Sequence, residues 1–266
     1  MDDLRKRAKG LLEISAVKVV IGYEQGTANK TRAVFVEKAE DADKLIFDSR
    51  CVQNLAAYVT KREVKDKGKM AITATLPVMR SIIQLASEFQ VNDNNLLVLG
   101  ITPDSKLIEF NELTEVETFV HQYQIEIDAR NKEMLDKLSK LTPSERWKFW
   151  IDELAPCFKC YACRAACPMC YCSRCTVDFN QPQWIPVPSH ELGNLEWHFM
   201  RAMHLSGRCI DCDACANACP LAIPLNLLTK KMIEDAKLYF RGYQPSLKGG
   251  HLMSTFKPED KDNFIQ

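Results

Sequence analysis

Residues 157–168 read CFKCYACRAACP and residues 209–220 read CIDCDACANACP, so one pattern of four cysteines and a proline occurs twice. Three thiolates spaced in this way wrap one face of a cubane, and the fourth cysteine of such a run ligates the other cluster of a pair. The spacing predicts two [4Fe–4S] clusters with interleaved ligands. The first set is Cys157, Cys160, Cys163 and Cys219, and the second set is Cys209, Cys212, Cys215 and Cys167.

Zinc held by four cysteines is the alternative, because zinc sites also use pairs of cysteines two residues apart. Zinc needs neither the third cysteine of each run nor the proline that follows it. The alanines within both runs would let backbone N–H groups approach the cluster sulfurs. Four basic residues adjacent to cysteines would either offset the negative charge of loaded clusters or form ordinary solvated surface: Lys159, Arg164, Arg174 and Arg208.

Four further cysteines are not used by these two sets. Cys170, Cys172 and Cys175 follow the first run, and Cys51 lies far upstream. Together they would complete a third four-thiolate site, which predicts a third [4Fe–4S] cluster where two domains meet. The alternatives are a zinc ion at the same thiolates, or reduced structural cysteines, since free cysteine is among the most buried residue types.

The half of the chain before the cysteine runs predicts an α/β domain with a parallel or mixed sheet and flanking helices, because short β-rich segments alternate with helical patterns. The predicted strands are Val17–Glu24, Ala33–Val36, Lys69–Thr75 and Leu96–Ile101. The predicted helices are Asp41–Phe47, Val52–Val59 and Val78–Phe89. Neither glycine-rich fingerprint of nucleotide-binding loops is present. The domain is therefore interpreted as a docking scaffold, without FAD or FMN.

The half that carries the cysteines predicts a helical domain. Thr142, Pro143 and Glu145 form a capping box with proline at the first helical position. Apolar spacing predicts further helices over Glu191–Leu205 and Leu225–Phe240. The predicted domains are 1–140, 141–245 and a tail at 246–266, whose apolar residues would clamp a partner subunit or fray as a terminus.

Composition narrows the class of protein. The 35 basic and 35 acidic residues cancel, so nothing in the charge balance favours nucleic acid or an anionic membrane. No apolar run approaches the 18 residues that would span a bilayer, and no secretory signal is visible. We expect a soluble, cytoplasmic protein in which reduced cysteines are available to bind metal.

Residues 145–240, with their two cysteine runs and intervening helix, resemble the α-helical ferredoxin domain of succinate dehydrogenase iron–sulfur subunits and of the heterodisulfide reductase small subunit. A second resemblance covers residues 15–240 and depends on segments 168–175, 182–184, 197–198 and 201–209, together with Val17–Glu24, Val34–Glu37 and 51–55. These segments are similar to the beta subunits of coenzyme F420-reducing hydrogenases and formate dehydrogenases. This resemblance implies an electron-transfer subunit of an anaerobic oxidoreductase, accompanied by a flavoprotein or a metal-containing catalytic subunit.

The chain departs from that family at two places. Residues 75–78 read TLPV and residues 101–104 read ITPD, where relatives carry cysteine-containing elements. The departure implies that the N-terminal domain has no cofactor of its own apart from what Cys51 contributes.

Three functions are compatible with the residues. The first is a non-catalytic relay of single electrons within a larger oxidoreductase complex, with or without electron bifurcation. Every predicted site is closed by four cysteines, which leaves no iron open to a substrate. The second is a flavin-containing reductase of a soluble carrier, and the third is a zinc-stabilised binding module. No catalytic residue is predicted, because none of the five histidines lies in a zinc or triad spacing: His121, His190, His198, His204 and His251.

Overall fold

Five strands form one mixed sheet in the described part of the N-terminal half. They are β1 (Val19–Gln25), β2 (Thr31–Val36), β3 (Met70–Ala74), β4 (Leu96–Ile101) and β5 (Leu107–Phe110). The order across the sheet is β2-β1-β3-β4-β5, with β1, β3 and β4 parallel and both edge strands antiparallel. This confirms an α/β domain with four of the predicted strands, whereas β5 was not predicted.

The computed structural model describes residues 2–124, 127–175, 177, 179, 182–239 and 245–247. Its helices in the N-terminal half are α1 (Asp2–Glu13), α2 (Arg62–Lys65), α3 (Leu76–Ser87) and α4 (Leu113–Val120), with 3₁₀ helices at Ala39–Lys44 and Leu55–Tyr58. The helices beyond them are α5 (Ala129–Lys140), α6 (Pro143–Leu154), α7 (Ala162–Ala165), α8 (Glu191–His204), α9 (Ala214–Asn217) and α10 (Leu225–Tyr239).

The central strands β3 and β4 are buried along their whole length, because both faces of the sheet are covered. Alternate side chains such as Ile21 and Ile72 pack under α3 and α4, whereas their neighbours Val20 and Ala71 pack under α1. The α3 face also receives Met169 and other side chains that follow the first cysteine run. The sheet therefore provides a rigid surface on which part of the cysteine-rich region rests.

A second core lies among α5, α6, α8 and α10. Trp150, Leu154, Leu195, Trp197 and Leu227 are buried there. The helix α5 contacts α10, so it packs with the cysteine-rich region although it precedes residue 141. The division of the chain at residue 140 stays a prediction.

The local signals for α6 and α8 are confirmed. The Thr142 hydroxyl accepts a hydrogen bond from the Glu145 N–H (3.3 Å), and the Glu145 carboxylate accepts one from the Thr142 N–H (2.7 Å). Helix α8 matches its predicted span within one residue. Helix α10 covers Leu225–Tyr239, and the last residue of its predicted span, residue 240, lies outside the described residues.

Two predicted α-helices are wrong. The segment predicted as Asp41–Phe47 overlaps a 3₁₀ helix at Ala39–Lys44, and the segment predicted as Val52–Val59 contains one at Leu55–Tyr58. Short connectors favour this tighter turn, whose hydrogen bonds join residues three apart. Among the helices described, none is both long and apolar enough to cross a membrane.

Candidate metal centres

The two cysteine runs fold alike. In each run the third and fifth residues adopt the left-handed conformation: Lys159 (φ 53°) and Tyr161 (59°) in the first, Asp211 (58°) and Asp213 (55°) in the second. One-turn helices α7 and α9 follow, and they contact each other. Because left-handed backbone is costly for residues with a β-carbon, its repetition at equivalent positions indicates a shape that the cysteines require.

This backbone directs N–H groups at sulfur. The N–H of Lys159 donates to Cys157 Sγ (3.4 Å) in the first run. In the second run, the backbone N–H groups of Asp211 and Ala214 oppose the rise in the pKa of Cys209 and of Cys212 that burial causes. Such bonds stabilise a thiolate, so the donor arrangement fits the sulfur ligands of an iron–sulfur cluster.

Burial opposes ionisation of the cysteine thiols in both runs. Burial raises the pKa of Cys163 to about 11 and that of Cys209 to about 12, with neighbouring cysteines adding to the effect. Uncharged thiols are therefore the stable form without a cation. A bound metal would displace these protons, since thiolate and not thiol is the ligand.

The neighbours of individual cysteines can be compared with the predicted sets. Cys157 has Cys160 and Cys219 as electrostatic neighbours, which are members of its predicted set. Cys209 has Cys212 and Cys215 as electrostatic neighbours, and both belong to its predicted set. Among the described residues, no group of three or more histidine, cysteine, aspartate or glutamate side chains is arranged to hold a metal ion. Both ligand sets stay predictions.

Helix α8 presents a polar stripe to the first run. The amide of buried Asn194 donates to the carbonyls of Cys157 (2.7 Å), Leu154 (3.3 Å) and Ala155 (3.3 Å). One turn on, His198 Nε2 lies 3.3 Å from Cys157 Sγ. Burial, Arg201 and Lys159 lower the pKa of His198 to about 3, so the ring is neutral and can donate through Nε2 to the sulfur.

Arg201 continues this stripe. Its Nη2 donates to the Cys163 carbonyl (3.0 Å), and the residue is 5% exposed. Residues 194, 198 and 201 share one helix face through their spacing of four and three. Sequence reasoning missed Asn194 and Arg201 as contacts of the first run, although that spacing on a helix predicted next to the cysteines was the available signal.

Helix α10 serves the second run in the same way. Lys230 is buried and pairs with Asp211 and with Asp213, the latter at 2.9 Å. Asn226 donates to Asp213 (3.0 Å), and the Thr229 hydroxyl opposes the rise in the pKa of Cys209 that burial causes. This stripe was not predicted either.

The four remaining cysteines have different surroundings. Cys51 Sγ accepts from the Asp48 N–H (3.5 Å) and contacts side chains of the N-terminal domain. Cys167, the predicted ligand of the second set, raises the pKa of Cys170, whereas Cys172 is exposed. Cys175 packs with the second core. The third ligand set stays a prediction.

The basic residues adjacent to cysteines differ in role. Lys159 is buried and its ammonium donates to the carbonyls of Pro186 and Pro188. Arg164 donates to the Cys172 carbonyl (3.0 Å), and Arg174 is exposed. Arg208 pairs with Glu88 at the end of α3. The interpretation as plain solvated surface is therefore wrong for Lys159, which is buried, and for Arg208, which is half-buried in its pair with Glu88.

Glu88 joins the two parts of the molecule. Arg208 Nε donates to its carboxylate (2.9 Å), and so does the hydroxyl of Tyr171 (2.6 Å). Burial raises the pKa of Glu88, but hydrogen bonds from Arg208, Tyr171 and Gln84 outweigh it and hold the pKa below its usual value. Burial raises the pKa of the Cys212 thiol to about 11, and the Asn54 side chain of the α/β domain opposes that rise. The second run is thus tied directly to the α/β domain.

The other histidines have structural surroundings. His190 Nδ1 accepts from the Gly193 N–H (3.2 Å) at the start of α8, and His121 Nε2 lies 3.0 Å from the Pro245 carbonyl. His204 lines an open cleft of about 770 Å³ with apolar side chains of α6 and α8. His251 and most of the tail lie outside the described residues.

The apolar side chains of α8 are not all packed into the core. Leu192 and Met203 each have 57% of their surface accessible, whereas Leu195 and Trp197 are buried. Of the two aromatic residues in the first run, Tyr161 packs edge-on against Trp197 (5.4 Å between ring centres) and Phe158 is exposed. The polar stripe that faces the cysteines turns Leu192 and Met203 outward.

The fold and the two cysteine runs define a class: an α/β domain joined to a helical region that carries a repeated four-cysteine pattern. The sequence is similar to the F420-dependent formate dehydrogenase subunit beta of Methanocaldococcus jannaschii, with 32% identity over 151 residues. The match covers 54% of this chain and 36% of that protein, so it spans about a third of the relative's length. No protein-family model matches the sequence. The similarity confirms the resemblance to formate dehydrogenase beta subunits that the motifs indicated.

Proposed function

We propose that this chain is an iron–sulfur electron-transfer subunit that relays single electrons within a multi-subunit, anaerobic, cytoplasmic oxidoreductase. The observation that carries the proposal is the repeated cysteine run with its repeated left-handed backbone, together with the N–H···S bond to Cys157. Two cubanes need two such runs with exchanged fourth ligands. The helical region would then be an α-helical ferredoxin domain.

The residues would divide the work as follows. The first and second cysteine sets would each hold a [4Fe–4S] cluster, which accepts or releases one electron at a time when bound. Helices α8 and α10 fix the two runs through Asn194 and Lys230. With four cysteines in each set, the chain would conduct electrons without binding a substrate at iron.

The partners would be other subunits, because the similar protein from M. jannaschii is by name a subunit of a formate dehydrogenase. A flavoprotein or a metal-containing catalytic subunit would supply the chemistry that a closed cluster cannot. The α/β domain, which lacks nucleotide fingerprints, would serve as the docking scaffold.

Anaerobic reconstitution of the full chain tests this proposal. We expect about eight irons per polypeptide, broad visible absorption, and electron paramagnetic resonance (EPR) signals of reduced cubanes after dithionite. Zinc in place of iron in a colourless preparation would refute it. Anaerobic purification from the native source, with identification of co-purifying subunits, tests the assignment to a complex.

The third cluster is a separate proposal that depends on Cys51, Cys170, Cys172 and Cys175. It predicts about twelve irons instead of eight, and a loss of about four irons in Cys51→Ser. Iron content unchanged by Cys51→Ser would leave the two-cluster proposal intact and remove the third cluster.

A further inference from the structure

One buried arginine faces cysteines of both predicted sets. The strongest electrostatic neighbours of Arg201 are four cysteines: Cys170, Cys167, Cys163 and Cys215. Cys163 belongs to the first set, and Cys167 and Cys215 belong to the second. Its Nη2 is fixed by the Cys163 carbonyl at 3.0 Å. The guanidinium therefore interacts with cysteines of both predicted sets and is held at the first run by the Cys163 carbonyl.

The partners of other buried cations show what is unusual about Arg201. Lys230 pairs with Asp211 and Asp213, and Arg208 pairs with Glu88. Among the described residues, Arg201 forms no ion pair with a carboxylate, and its buried Nε has no hydrogen-bond partner. A buried charge is costly unless it is compensated. The nearby cysteine sulfurs would compensate this charge once bound clusters have displaced their protons.

We propose that Arg201 is the shared counter-charge of both clusters and raises the reduction potential of each. This inference rests on the proposed function, because it needs both clusters to be present. Adding one electron makes a cluster more negative, so a fixed positive charge nearby stabilises the reduced form more than the oxidised form. One side chain would thereby shift both centres in the same direction relative to outside donors and acceptors.

The test compares Arg201→Met, Arg201→Lys and the control Arg174→Met in the reconstituted full chain. Arg174 also lies beside a cysteine but is exposed, so solvent and salt screen its charge. Midpoint potentials come from anaerobic redox titrations followed by EPR. For Arg201→Met we expect both clusters to become about tenfold harder to reduce, which corresponds to about 59 mV for one electron.

Each outcome bears on the proposal. Potentials near wild type in Arg201→Lys, together with lower potentials in Arg201→Met, support a role for the charge. Equal shifts in the two variants would show that the bond to Cys163 matters instead, and unchanged potentials in Arg201→Met would refute any role. Failure of Arg201→Met alone to take up iron would support the counter-charge, whereas failure of both variants would contradict it. Fewer than about eight irons in wild type would refute the proposed function itself, independently of the variants.

Discussion

The two cysteine runs have the same spacing and the same backbone shape but different supports. The first run is held by α8, whose Asn194 and His198 bond to main-chain carbonyls and to sulfur. The second run is held by α10, whose Lys230 and Asn226 bond to carboxylates of the run itself. The difference originates at the third and fifth positions of the runs.

Those positions carry Lys159 and Tyr161 in the first run, and Asp211 and Asp213 in the second. Both pairs adopt left-handed backbone, so the cysteine geometry does not depend on which side chains stand there. The carboxylates of Asp211 and Asp213 pair with Lys230, so in the second run these positions determine which helix residue supports them. The cysteine spacing predicts the ligands, while the surroundings of each site are specified from a separate helix.

The largest expected effect is the loss of iron when predicted ligands are replaced, which tests how the cysteines of the two runs are paired. If the sets interleave, Cys160→Ser and Cys219→Ser each remove about four irons, and the double variant also removes about four. Cys160→Ser combined with Cys167→Ser should remove about eight, because these two cysteines belong to different sets. Iron and acid-labile sulfide analysis after reconstitution measures this.

The reverse result would contradict the interleaving. If Cys160→Ser with Cys167→Ser removes only about four irons, each run holds its own cluster. Cys172→Ser is the matched comparison, because this cysteine is near the first run but exposed and outside both sets. Under two clusters it keeps its iron.

The predicted ligands can be read from the sequence more easily than their supports. The two runs are local patterns of twelve residues, so their spacing is visible in the sequence itself. Asn194 and Lys230 act across 37 and 19 residues of chain, and only the packing of α8 and α10 reveals their partners. Glu88 is further still, since its contact with Arg208 spans 120 residues.

The α/β domain shows the same division. Strands β1, β3 and β4 are continuous apolar segments, so they could be predicted before the structure was known. Edge strand β5 has a partly exposed face and only four residues, which gives little periodicity to detect. Helix α1 was missed because it is highly charged and buries only Leu4, Ala8 and Leu11.

The support of the second run is tested by replacing Lys230. Lys230→Met leaves Asp211 and Asp213 without their shared cation, and removing one partner of a buried ion pair costs about 3–5 kcal/mol. Denaturant unfolding of the chain without metal measures this change in the free energy of unfolding. The control is Lys231→Met, which removes an exposed lysine from the same helix and should change it by about 0.5 kcal/mol or less. Equal losses in both variants would contradict a specific role for Lys230.

The support of the first run depends on neutral hydrogen bonds, so a smaller effect is expected there. Asn194→Ala removes the donor to the Cys157 carbonyl and leaves buried acceptors unsatisfied, at a cost of about 1–3 kcal/mol. The matched control is Asn217→Ala, because Asn217 is an exposed asparagine at the end of α9. The same unfolding measurement should show little change for the control. A loss at residue 194 no greater than at residue 217 would remove α8 as the support of the first run.

The smallest expected effect is a change in the pH dependence of stability at Glu88, which links the second run to the α/β domain. Hydrogen bonds from Arg208, Tyr171 and Gln84 lower the pKa of Glu88 below its unfolded value of 4.5, although burial opposes them. A lowered folded-state pKa contributes stability that is present above the unfolded pKa and is lost as pH falls through the folded pKa. Glu88→Gln should therefore reduce the stability of the metal-free chain near neutral pH and flatten its decline below pH 4.5.

Glu63→Gln, at an exposed position on α2, is the control and should retain the wild-type slope. If Glu88→Gln also retains that slope, Glu88 is not the acid-sensitive link, and the attachment of the second run to the sheet must depend on apolar contacts such as those of Met169 and Leu205.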